Sequence, residues 1–205
     1  MLSEGRFVDL CGRLAPALDG RATFEILQRA YAEPARTYHN ARHIADCLTQ
    51  FDKVRAKFVR PDETEFALWI HDAIYDSHAK DNESRSAQMA AEFLRRGGAA
   101  AEAIEYVERL ILATRHNETP SEPDARLIVD IDLSILGRGE AEFNEYDEAI
   151  RREYTWVPED KYREGRATVL RGFLKRERIY STQEFFEQFE KSARENLQRA
   201  ILQLR

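Results

Sequence analysis

The segment FALWIHDAIYD, residues 66–76, sets His71 and Asp72 inside a strongly apolar run. Phe66 to Ile70 precede the doublet and Ala73, Ile74 and Tyr75 follow it. A helix apolar on nearly all sides belongs in a core. An ionised carboxylate in that setting is costly unless it is paired. No Lys or Arg lies within four residues of Asp72. Either the doublet is a protonated or water-bridged core pair, or it meets a cation supplied from elsewhere in the fold.

Outward from this segment, helix signals run through the chain. PDETEFALWIHDAIYD opens with Asp62 and, three residues on, Glu65, at the spacing of a capping box. ARHIADCLTQFDKV follows Asn40, a good N-cap. RATFEILQRAYAE repeats apolar residues at three- and four-residue spacing. DNESRSAQMAAEFLRRGG starts at capping residues and stops at Gly97 and Gly98. AAEAIEYVERLILATRH and SEPDARLIVDIDLSILGRG continue the pattern, and residues 140–155, 159–178 and 181–204 read as three further amphipathic helices. No strand alternation, repeat or low-complexity linker interrupts them. The expectation is one all-α domain of roughly 8–10 helices, with a core over about 22–137 and a C-terminal helical part over about 138–205.

The composition excludes several classes. A chain of 205 residues suffices for a large self-supporting domain. The net charge of -6, with no dense basic stripe, argues against a dedicated nucleic-acid binder. Cys11 and Cys47 form no CxxC pair and suit a reducing compartment. The first residues are too polar for a signal peptide, and no apolar run approaches the roughly 20 residues of a membrane span. A cytoplasmic protein is expected.

Two further segments carry the same anomaly as the His71–Asp72 doublet. RLIVDIDLSILG places Asp130 and Asp132 in apolar surroundings. Two residues apart, they point to nearly opposite sides of a helix. Asp132 shares its side with Ile128, Val129, Ile135 and Leu136, and Asp130 shares its side with Arg126, Leu127, Leu133 and Ser134. Asp132 is therefore expected to be buried, and Asp130 exposed in an ion pair with Arg126. RTYHNARHIADCL, residues 36–48, sets His39 and His43 four apart in a chain with five histidines. His43, His71, Asp72 and Asp132 make two imidazoles and two carboxylates from three helices. One divalent cation satisfies all four and removes the burial cost. Such mixed ligation with open positions suits hydrolysis.

The order H…HD…D resembles the HD superfamily of metal-dependent phosphohydrolases, all-α proteins. The chain also resembles a family of uncharacterised bacterial HD proteins marked by YHNxxHI, HDAxYD, DNExxSA and DxDLxILG, over about residues 22–200. The resemblance implies an HD-type domain with His43, His71, Asp72 and Asp132 as metal ligands. YHNARH is similar to a stretch of the cyclic nucleotide phosphodiesterases, which implies that His39 is a general acid. The implied activity is hydrolysis of a phosphomonoester or phosphodiester, a nucleotide foremost, with Mn, Mg, Co, Ni, Fe or Zn as the cofactor. The partner is then a small phosphorylated molecule. Asp76 or Glu83 could orient the attacking water, while Asp81 reads as an N-cap. His116 is either a second-metal or substrate residue, or a histidine favoured at a helix C-terminus. Arg42, Arg115, Arg151, Arg152, Lys161 and Arg166 are candidates for the substrate phosphate, each also readable as a solvated surface charge. His78 reads as a loop residue and Cys47 as a small buried thiol. Two rival functions remain open: a di-iron HD-type oxygenase, which would need more ligating histidines, and a non-catalytic nucleotide-sensing module.

Overall fold

The computed structural model describes residues 2–117 and 120–204. Among them there are ten α-helices and no strand. The chain divides into two compact units, Met1–Val129 and Asp130–Arg205. The division falls inside one helix, eight residues before the boundary expected from sequence.

The first unit contains α1 (Glu4–Leu14), α2 (Gly20–Tyr31), α3 (Ala41–Val54), α4 (Pro61–Ile70), α5 (Asn82–Arg96), α6 (Ala101–Ala113) and most of α7 (Pro123–Asp132). The polar N-terminal segment thus forms a helix beyond those expected from the sequence. Ser3 caps it by accepting from the Arg6 amide, and Phe7, Leu10 and Cys11 are buried. Helix α4 is the hub and packs against α1, α3, α5 and α6. Every residue from Thr64 to Ile70 is buried, and Phe66 to Ile70 are apolar on all sides, as a core helix requires. The Trp69 ring lies 5.1 Å from Phe7 and 6.1 Å from Phe24, centre to centre, and Phe7 stacks on Phe66 at 5.9 Å. Gly98 follows α5 with φ 75°, in the left-handed region that glycine enters without strain.

Two expectations for α4 need correction. Asp62 and Glu65 do not form a capping box. Pro61 occupies the first turn, Arg60 takes the cap position, and no side chain caps the helix there. Asp124, fully buried, instead accepts from the Val59 and Arg60 amides at 2.9 and 2.8 Å, and from the Tyr106 hydroxyl at 2.9 Å. Glu65 accepts from Arg6 and Arg55, both at 2.6 Å, and Asp62 from Arg13 and Arg55 at 2.8 and 2.7 Å. Helix α4 also ends at Ile70 instead of running on to Asp76, so the His71–Asp72 doublet stands at its C-terminal turn.

The second unit contains the end of α7, a 3-10 turn over Leu133–Gly137, α8 (Glu140–Glu153), α9 (Glu159–Leu174) and α10 (Gln183–Gln203). Its core includes Tyr180, Phe185 and Phe189, with Phe189 5.8 and 5.7 Å from the other two ring centres. The Tyr180 hydroxyl donates to the Leu133 carbonyl at 2.9 Å. Gly137 is fixed by close approach: a Cβ there would stand 2.5 Å from the Phe189 Cβ and 2.6 Å from its carbonyl oxygen.

The expected phase of α7 is also wrong for Asp130. That residue is fully buried, and its carboxylate accepts from the Ser181 amide (2.9 Å), the Thr182 amide (2.7 Å) and the Thr182 hydroxyl (2.6 Å), with the Ser181 hydroxyl at 3.4 Å. It holds the start of α10, where Thr182 is the cap residue and makes no side-chain cap bond of its own. Asp132 is half-buried at the last position of α7. Beyond it the chain tightens into the 3-10 turn, so the helical spacing used to pair it with Ile135 and Leu136 no longer applies.

Candidate metal centre

His43 is placed by the cap of α3. The Asn40 side chain accepts from the Arg42 amide at 2.8 Å and donates to the Arg36 and Thr37 carbonyls at 3.2 and 3.0 Å. This turns His43 inward on the first turn, where it is buried. His71, also buried, is placed by the end of α4. Its Nδ1 lies 3.0 Å from the Leu68 carbonyl, which can only accept, so Nδ1 carries the hydrogen. In the neutral ring Nε2 is then an acceptor, the usual arrangement of a metal-binding histidine.

These groups converge. His43 Nε2 lies 3.2 Å from His71 Nε2. Asp72 Oδ2 lies 3.3 Å from the first and 3.2 Å from the second. The ligand-capable atoms of His43, Cys47 and His71 lie within 4.8 Å of one another, with Cys47 Sγ 3.8 Å from the His43 ring nitrogens. This buried His/Cys/His cluster can hold a metal ion. With no cation between them, burial pushes the Asp72 carboxyl up, but the protonated His71 ring and hydrogen bonds from His43 and His71 outweigh it and hold the group well below the usual carboxylate range.

The turn that carries Asp72 has its main chain satisfied almost carbonyl by carbonyl. The Ala67 carbonyl accepts from the His71 amide, Leu68 from the His71 ring, and Ile70 from the Ala73 amide. Trp69 accepts from the Tyr31 hydroxyl at 2.7 Å. Asp72 and Ala73 accept from the buried Arg36 guanidinium at 2.6 and 3.0 Å. Ser86 closes the set by bonding both the amide and the carbonyl of Ile74. Nothing in the sequence marks Tyr31, Arg36 and Ser86, because their partners are main-chain groups, which carry no sequence signal.

His39 is half-buried just outside α3, and its ring stacks on Tyr75 with centres 4.1 Å apart and planes at 21°. Its ring centre is 6.1 Å from that of His43. Asp76 is exposed and accepts from the His78 amide at 2.9 Å, with the His78 ring at 3.1 Å. That amide, then the ring, lowers its pKa. Glu83 lies in the first turn of α5, 4.0 Å from Arg115, which also bonds Ser84. Asp81 takes the cap position of α5 without a side-chain cap bond, while Asn82 clamps the Asp76 main chain through its amide and carbonyl. His116 is not at the end of a helix: α6 stops at Ala113, and His116 follows with φ 58°.

Of the other cationic candidates, Arg42 is exposed on α3. In the second unit Arg152 and Lys161 are exposed beside Glu148 and Glu164. Arg151 donates to the Tyr154 carbonyl and pairs with Glu159. Arg166 is buried, bonded to Asp147 at 2.7 and 2.9 Å, and stands over the Tyr146 ring. No helix among the described residues is long and apolar enough to cross a membrane. No protein-family model, curated protein or solved structure matches the chain.

Proposed function

We propose that the chain is an HD-type metal-dependent phosphohydrolase, acting on a phosphomonoester or phosphodiester, with nucleotides the first class to test. One observation carries the reading: His43 Nε2, His71 Nε2 and Asp72 Oδ2 form a triangle with edges of 3.2–3.3 Å. Donors bound to one cation at about 2.0–2.2 Å stand roughly 3.0–3.5 Å apart, so the triangle has the size of one face of a coordination shell. Two imidazoles and a carboxylate suit a borderline divalent cation. The sequence order H…HD…D adds Asp132 as the fourth ligand.

When bound, the cation supplies Lewis acidity toward a phosphoryl oxygen and a water of lowered pKa. The remaining work falls to the chain. His71 donates its Nδ1 hydrogen to Leu68, so that loss of one proton frees Nε2 for the cation. The carbonyl clamps hold Asp72 against both rings. His39, set by Tyr75 beside His43, donates a proton to the leaving oxygen. Arg42 and Arg115 are the first-unit cations proposed to receive the substrate phosphate.

The test is a phosphate-release screen over nucleotides, sugar phosphates and cyclic dinucleotides with Mg, Mn, Co, Ni and Zn. Metal-dependent release that disappears in Asp72→Asn is expected. Absence of release and of ester cleavage with every metal overturns the reading. His39→Ala should keep the metal and lower kcat by about 10²- to 10⁴-fold. That loss should shrink for a nitrophenyl ester, whose leaving group needs no proton.

A further inference from the structure

We propose that Arg36 is a positioning residue that joins the metal-binding turn to His39, through the Asp72 and Ala73 carbonyls on one side and the Tyr75 ring on the other. The inference rests on the metal-centre reading above and adds a residue to it. Arg36 is buried, with 3% of its side chain exposed. A buried guanidinium is costly unless its donors are met. Nη1 donates to the Asp72 carbonyl at 2.6 Å, Nη2 to the Ala73 carbonyl at 3.0 Å, and Nε to Glu33 at 3.0 Å. Its centre lies 5.7 Å from the Tyr31 ring and 5.8 Å from the Tyr75 ring.

The rigid fork fixes two consecutive peptide planes at once, which a lysine ammonium cannot do. Asp72 hangs from the first of those planes. A modest rotation there swings Oδ2 out of the triangle it forms with the histidines. The second arm runs through the ring beside it: Tyr75 lies against the guanidinium and stacks on His39. A third connection is covalent, since the Arg36 carbonyl accepts from Asn40, the cap of the helix that carries His43. Arg36 thus touches the supports of His43, Asp72 and His39 without belonging to the donor set. Supporting residues of this kind cost about 10- to 100-fold in metal affinity when removed.

The test uses the full chain with Arg36→Lys, Arg36→Gln and Tyr75→Leu. In metal-free protein, imidazole nitrogen NMR should show the His39 and His71 rings displaced in both Arg36 variants, with exposed His78 unchanged and the helical circular-dichroism spectrum retained. Co²⁺ affinity by calorimetry should fall about 10- to 100-fold, in Arg36→Lys as well as in Arg36→Gln. Tyr75→Leu should displace the His39 ring alone and leave Co²⁺ affinity within about twofold, because only the stacking arm is cut. If Arg36→Gln loses its helical spectrum, Arg36→Lys and Tyr75→Leu decide the matter. Unchanged His39 and His71 resonances with unchanged Co²⁺ affinity in Arg36→Lys overturn the proposal. A wild-type protein that binds no Co²⁺ overturns the metal reading instead, and the ring spectra still decide what Arg36 holds.

Discussion

Asp72 and Asp130 are both carboxylates withdrawn into helical protein, one in each unit, and they are satisfied in opposite ways. Asp130 accepts from two amides and two hydroxyls at the start of α10, all fixed donors. Asp72 faces two imidazoles, with 15% of its side chain exposed. A carboxylate filled by amides closes a helix end and has nothing left to offer. One filled by rings can exchange a proton for a cation. Burial alone therefore does not distinguish the two acids; the nature of their donors does.

The sharpest way to break this contrast is to remove each carboxylate in turn. Asp130→Ala leaves buried amides without acceptors, at about 1–3 kcal/mol each, so unfolding should become easier by about 3 kcal/mol. Urea unfolding measures this, and a loss below about 0.5 kcal/mol would show that the start of α10 does not need its carboxylate. Next in size is Asp72→Asn. Co²⁺ affinity should drop by more than about 100-fold, beyond what a supporting residue costs. Metal-free stability should also fall at neutral pH, because a carboxylate that the two rings hold well below its usual range contributes to folding above its unfolded pKa. Retained metal in Asp72→Asn would place Asp72 with Asp130, as a structural acid.

The cysteines give a smaller effect. Burial pushes the Cys11 thiol up to about 12, so it should resist alkylation at pH 8 with or without metal. Cys47 lies within the candidate donor cluster, and Co²⁺ should slow its alkylation several-fold. Equal rates with and without Co²⁺ would remove Cys47 from the neighbourhood of the ion. Smallest is the pH response of Asp62. The Arg13 hydrogen bond, aided by Arg55, outweighs burial and holds its carboxyl below the usual range. Its folded pKa lies below its unfolded one, so its contribution is complete above the unfolded value near 3.9 and fades as pH falls through the folded one. With a quarter of the side chain exposed, the effect should be under about 1 kcal/mol, read as a smaller acid loss of stability in Asp62→Asn.

Much of the helix order was legible because its signals are local. Asn40 caps α3 and Gly97–Gly98 end α5 as their residue types imply. The His71–Asp72 doublet stood out because charge in an apolar run is itself local information. Asp130 was misread because its donors, Ser181 and Thr182, lie about fifty residues further along, and helical spacing carries no trace of them. The end of α4 at Ile70 was hidden for a related reason. Main-chain bonds to Tyr31, Arg36 and Ser86 stabilise the turn where apolar periodicity would have let the helix continue.

Helix α4 is held at both ends, by Asp124 before its first turn and by Tyr31 and Arg36 after its last, with Trp69 locked among aromatic rings between them. On the timescale of amide hydrogen exchange this leaves no local route for opening. The amides of its second half, Phe66 to Ile70, should exchange only when the whole first unit unfolds, later than the ends of α5 or α6. The cation proposed for His71 and Asp72 would then meet a turn that is already set, and its capture should proceed in one kinetic phase.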